Sequence, residues 1–373
     1  MILPKLISID TFVFGKLAKD YYSGNDKKST KARGVVRFMI DNGLVPFITH
    51  HHIQEILQHG NETVKFNRWS LIGKFPTIAW VSGFHDSSVL GSIYDIHQLE
   101  VAYLLNNANP PQEKLEDKFK NRLLQYSSGA EFTDQFEYVY SEVNRLGYLD
   151  SQRNKEIESI SHLQDRKINE TKLSELNNST LKNPSEVTSY LEGYKNNLIA
   201  KLRSNGDIRL DNHSLIASDF IEEVRTTAQS LYEDISAPLF DSFIRSAGVR
   251  IDQVTPNTTV GELGYLAIYN AKMEQIMKSL GLPLDRAKEI SPNDSTTWVI
   301  WRSLDKAMKR EYRAHGSNMI DKHMSVLALY VDIFTVDKRV KEYFRQLRRK
   351  NTVLSNKFSN IVKISDYTDL QNV

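Results

Sequence analysis

Short runs of β-branched and aromatic residues cluster at the two ends of this chain, and almost none lies between them. Leu6-Ile-Ser-Ile-Asp10, Leu44-Val-Pro-Phe-Ile-Thr49 and Thr77-Ile-Ala-Trp-Val81 occupy the first part. Asp332-Ile-Phe-Thr-Val-Asp337 and Asn360-Ile-Val-Lys-Ile364 occupy the last. Each has the length and composition of one buried strand, and stretches with helix-period apolar positions separate them. Strands alternating with helices predict an α/β fold with a parallel, doubly wound sheet. Because the runs sit at both ends, that sheet has to be assembled from residues 1–93 and 291–373.

From about Tyr94 to His315 the pattern changes to long, charge-rich amphipathic segments. Helices are expected over Gln112 to Tyr126, Asp134 to Leu146, Ser185 to Leu202, Leu215 to Leu231, Val260 to Leu280 and Ser295 to Tyr312, punctuated by Pro184, Gly206, Gly248 and Gly281. Residues 94–290 therefore read as a mostly α-helical insertion. Between Ser151 and Lys182 apolar residues are sparse, which suits an exposed helix or a mobile linker.

Composition narrows the chemistry. The 48 Lys and Arg nearly cancel the 46 Asp and Glu, so total charge points to neither a nucleic-acid nor a membrane partner. Residues Trp301 to Val373 are uneven, with 15 basic against 8 acidic side chains, and Arg345, Arg348, Arg349 and Lys350 could follow a phosphate backbone or form a solvated helix face. With no Cys, thiolate metal sites and cysteine nucleophiles are excluded. The apolar start is broken at Pro4 and Lys5, no later stretch approaches a membrane helix, and a cytoplasmic location is expected.

Acidic residues close the strands. In an open parallel sheet, ligands bind beyond the carboxyl ends of the strands. Asp10 and Asp337 each end a strand there; Glu55 and Asp321 fall in early turns of helices starting from that same edge. Four hard oxygen donors at one edge suit Mg²⁺ or Mn²⁺. Any one of these acids alone is better explained as a turn or capping residue. Asp332, at the other end of the Asp337 strand and about 16 Å away, belongs to the opposite edge.

These residues resemble the PIN-domain nucleases over roughly residues 1–100 and 290–373. A first strand ending in Asp10-Thr11, a helical Glu55, a helical Asp321 and a strand ending Thr335-x-Asp337 match the pattern of that family. Asn318 stands one turn before Asp321 where a further carboxylate would have been welcome, and the large insertion departs from the compact members. The resemblance implies a PIN-like fold and a metal-dependent endonuclease that hydrolyses phosphodiester bonds, RNA rather than DNA. It implies that Asp10, Glu55, Asp321 and Asp337 are catalytic and hold Mg²⁺ or Mn²⁺, with Thr11, Thr335, His323 and Arg339 near carboxylates or substrate. The alternative is a degenerate PIN scaffold serving as a protein or nucleic-acid interaction module, with the helical insertion as the protein-contacting part.

Competing constellations are weaker. His51, Glu55 and His59 would share a face if one helix carried all three, permitting a transition-metal site, although the spacing is not His-Glu-x-x-His and packing at a helix entry explains the histidines as well. Asp95 is a fifth acid that helix initiation also explains. Tyr94, Trp298 and Trp301 have helical spacing and are expected in a core unless they stack on bases. No phosphate-binding glycine loop is present.

Overall fold

A computed structural model describes residues 4–106, 112–163, 169–176, 184–233, 244–245, 247–309, 318–350, 358 and 360–373. The ends of several expected features lie outside these residues: the last turn before Tyr312, Gly316 and Ser317, and parts of the Ser151 to Lys182 segment. The chain divides into two compact units, one formed by Met1–Ser151, Asp294–Met308 and Met319–Val373, the other by Gln152–Asn293 and Lys309–Asn318.

The first unit is α/β. Its strands are β1 (Lys5–Ser8), β2 (Leu44–Ile48), β3 (Ile78–Val81), β4 (Leu124–Ser127), β5 (Ile333–Val336) and β6 (Ile361–Lys363). They form one sheet in the order β4-β3-β2-β1-β5-β6. All neighbours are parallel except β3 and β4. Three of the strands are buried throughout, β2, β3 and β5, as near-continuous apolar strands must be when both faces of a parallel sheet are covered. Strand order runs outward from β1 in both directions, so the topological switch lies between β1 and β5, where a crevice opens beyond the strand ends.

Helices α1 (Thr11–Tyr21), α2 (Asp26–Asp41), α3 (His50–Leu57) and α4 (Glu62–Ile72) follow the first two strands. Side chains of Asp10, Asn25 and Asn61 accept the orphan amides at the starts of α1, α2 and α4. Gly43 ends the α2 connection at φ 67°, a left-handed conformation open to glycine at no steric cost, and its carbonyl receives the Lys5 amide at 2.9 Å. Val13, Leu17, Val35 and Met39 from these helices pack on Ile7 and Ile48 in one core. Burying each such side chain contributes about 1.5–3 kcal/mol before chain entropy is counted.

After β3 come α5 (Ile93–Asn106), α6 (Gln112–Arg122), β4, α7 (Gly129–Gln135) and α8 (Glu137–Leu163). Here the structure departs from the expected pattern. Leu115, Phe119, Leu123 and Tyr126 keep helical spacing and predict one helix to Tyr126; α6 instead stops at Arg122, and Leu124 to Ser127 pair antiparallel with β3. Phe132, Phe136 and Val139 join the sheet's core, so the α/β unit runs on to Ser151 rather than giving way near Tyr94.

The second unit holds α9 (Pro184–Asn205), α10 (His213–Glu233) and α11 (Val260–Ser279). Leu198, Leu202 and Ile216 anchor one small core, and Leu173, Val249 and Leu263 another. The chain then returns to the α/β unit with α12 (Thr296–Met308), α13 (Asn318–Met324), β5, α14 (Lys338–Lys350) and β6. No helix among the described residues is long and apolar enough to cross a membrane.

Candidate active site

Asp10 stands two residues beyond β1, and Asp337 one residue beyond β5, flanking the switch point. Each is also a helix cap. Asp10 Oδ1 accepts the amides of Phe12 and Val13 at 3.0 and 3.2 Å, and Asp337 Oδ1 accepts that of Val340 at 2.7 Å. Both carboxylates therefore sit at the positive ends of their helices, α1 and α14. One oxygen of each acid is committed to its cap, which fixes the backbone around it.

Glu55 arrives from a different direction. Helix α3 begins at His50, three residues before the first apolar position used to place it, so Glu55 sits in the second turn rather than the first. The entry is held by His52, whose Nδ1 accepts the Thr49 amide at 3.1 Å while its Nε2 meets the Ser8 hydroxyl, also at 3.1 Å. Burial depresses the His52 pKa to about 3, so this imidazole stays neutral and ties α3 to the end of β1. Asp321 comes from α13. Its neighbour Lys322 is buried against Asp305 of α12 at 2.7 Å, a contact that fixes the roll of α13.

Asp10, Thr11, Glu55 and Asp321 line one cleft of about 30 Å³, together with Met324, Ser325, Thr335 and Val340. That is room for a water or two. The acids perturb one another. Burial raises the Asp10 pKa, and the Asp337 charge adds to the effect. Burial and the Asp10 charge bring Glu55 up to about 7, against the Thr11 hydrogen bond and Arg68, which act the other way. Asp321 is raised well above the usual carboxylate range by burial and by Glu55, Asp10 and Asp337, with Arg339 opposing. Arg68 donates to the Ile56 carbonyl at 2.9 Å and packs on Gly15 of α1, where a Cβ would stand 2.7 Å from its guanidinium.

Arg339 is not placed as a free substrate contact. Its Nη2 donates to Asp321 Oδ2 at 3.1 Å, and its Nε lies 3.8 Å from Asp337 Oδ2, so a single guanidinium spans two of the four acids. Thr335, 2% exposed, uses its hydroxyl to accept the Asp10 amide at 2.8 Å, a contact that positions Asp10. Thr11 hydrogen-bonds Glu55. His323 stacks on His51 with ring centroids 5.5 Å apart. Among the described residues no three His, Asp or Glu side chains are gathered tightly enough to hold a metal ion as they stand.

The competing constellations are not assembled. His59 lies beyond the end of α3 and accepts the Asn61 amide, so it does not share a helical face with His51 and Glu55. Both Asp95 oxygens are used locally, by Phe84 at 2.8 Å and by Ser92 at 2.7 Å. Trp298, 2% exposed, is core, with Trp301 stacked on it at 4.9 Å. Asp332 accepts the Leu6 amide at 2.7 Å, a bond to the neighbouring strand rather than to its own turn. No protein-family model, no curated protein and no solved structure matches this chain.

Proposed function

We propose that the chain is a metal-dependent endonuclease with a PIN-like fold that hydrolyses phosphodiester bonds, RNA in preference to DNA. The observation that carries this reading is the set of four carboxylates at the switch point where β1, β2 and β5 end, three of which, Asp10, Glu55 and Asp321, share one cleft and are raised by burial and by the neighbouring acidic charges. Like charges held together at the edge of a sheet favour a cation between them. The donors are hard oxygens, which suits Mg²⁺ or Mn²⁺ over zinc. When bound, such an ion neutralises charge on phosphate oxygens and eases deprotonation of water.

The chain's own residues would divide the remaining work. Asp10, Asp337 and Asp321 would hold the cation. Glu55, with a pKa of about 7, is matched to taking a proton from the attacking water at neutral pH. Thr335 holds the Asp10 backbone in place, and Arg339 releases Asp321 when a cation or a substrate phosphate competes for either partner.

Cleavage of labelled RNA and DNA with and without Mg²⁺ or Mn²⁺ tests this. Asp337→Asn abolishes metal-dependent cleavage with the fold intact, and Asp332→Asn keeps it, because asparagine's amide oxygen still accepts the Leu6 amide. If Asp332→Asn were the inactive variant and Asp337→Asn the active one, the placement of the site would be wrong. The Arg339 bridge favours a second reading, a non-catalytic scaffold in which Arg339 is the permanent counter-charge. On that reading Mn²⁺ titration leaves thermal stability unchanged, and Arg339→Ala creates Mn²⁺ binding absent from the native chain.

A further inference from the structure

A second concavity, bounded by α14 and β6, has a volume of about 340 Å³. Lys338, Lys341, Arg345 and Arg348 form one wall and Lys363 belongs to the other, over the apolar Phe344, Phe358 and Ile361. The α14 cations recur at intervals of three and four residues, so they share one face and make a stripe about 15 Å long at 1.5 Å rise per residue. The helix buries Val340, Tyr343, Phe344 and Leu347, which leaves Lys338, Lys341, Arg345 and Arg348 exposed.

The charge on this wall is largely uncompensated. Glu342, the single carboxylate among the lining residues, is engaged by Arg345 at 2.6 and 2.7 Å. Lys338, Lys341, Arg348 and Lys363 form no ion pair among the described residues. Like charges along a helix face cost stability, and a polyanion lying beside them reverses that cost. The stripe is also aimed. Lys338 directly follows Asp337, and Lys363 pairs in register with Val336, so the groove begins at the sheet edge that carries the acids.

We infer that this groove binds the sugar-phosphate backbone of a single nucleic-acid strand and leads it to the acidic cleft, an inference that rests on the phosphodiesterase reading above. Apolar floor and cationic rim together match an amphipathic strand better than a free anion.

The test uses the full chain with EDTA present, so that binding is read without cleavage, by fluorescence anisotropy of a short labelled single-stranded RNA across a salt series. Lys341→Glu combined with Arg348→Glu weakens binding at least about tenfold at low salt and lowers the slope of log K against log salt by about 1.4, two single-strand phosphate contacts. Lys27→Glu combined with Lys28→Glu, the same charge change on exposed positions of α2, leaves both values unchanged. Equal losses in the two doubles, or no loss in the first, overturn the groove, as does stronger binding of an acidic peptide than of RNA at the same surface. Cleavage assays with metal separate this from the parent reading. Normal cleavage with an unchanged KM in the α14 double rejects the groove alone; groove-dependent RNA binding without cleavage in any metal keeps the groove and rejects the nuclease.

Discussion

Glu55 carries much of the pH response of the cleft. Its pKa is about 7 in the folded chain against an ordinary 4.5, so between these values the native state holds a proton that the unfolded chain has lost. Stability contributed by the protonated form is complete below about 4.5 and is lost as pH rises toward about 7. Glu55→Gln removes this titration, and thermal unfolding followed through that window becomes flatter than in the native chain; an unchanged slope would assign it wholly to Asp10 and Asp321. Mg²⁺ or Mn²⁺ binding to the native chain strengthens as pH passes 7, and the Gln variant shows a smaller rise, because the raised Asp321 still has to lose its proton. The placing of Asp10 and Asp337 just past strands was legible from sequence because a strand end is a local property, whereas Glu55 falls one turn later in its helix than expected. Their partners were not. Thr335 meets the Asp10 amide across 325 residues of chain, and Arg339 reaches Asp321 from the next helix, pairings that need the fold before they can be named.

Element by element, the parts that hold the acids rely on buried polar contacts. Helix α12 begins on Glu100, a buried carboxylate that accepts the Ser295 hydroxyl at 2.9 Å and the Thr296 and Thr297 amides. Helix α13 is joined to α12 by Lys322 and Asp305, about 5% and 4% exposed. Removing one partner of such a pair strands the other charge, so Lys322→Met destabilises by about 3–5 kcal/mol, and the double Lys322→Met, Asp305→Leu recovers most of it. Chemical denaturation measures both; a single variant as stable as the native chain would remove this pair from the supports of Asp321. The five end-of-chain strands were readable because apolar runs at a strand's length have few other uses. Strand β4 was hidden, since Leu115, Phe119, Leu123 and Tyr126 keep a helix's spacing through it and only the open edge of β3 decides otherwise.

On the scale of the whole molecule, β1 joins the two halves of the sheet. It pairs with β2 on one side and with β5 on the other, and the two partners come from opposite ends of the chain. Cutting the chain once inside the second unit therefore leaves the α/β unit held by its own sheet. A protease site placed after Gly281, an exposed turn residue at φ 64°, gives two fragments that co-elute on native size exclusion and keep any cleavage activity. Separation of the fragments without denaturant would mean that β1 and β5 do not hold the unit together. The same pairing sets a timetable during synthesis. The Leu6 amide and its acceptor Asp332 are 326 residues apart, so at about 5–20 residues per second the ribosome needs about 16–65 s to deliver β5 after β1 has emerged. For that interval the nascent chain carries an apolar strand with one bare edge, and its safe arrival depends on whatever shields that edge until β5 is made.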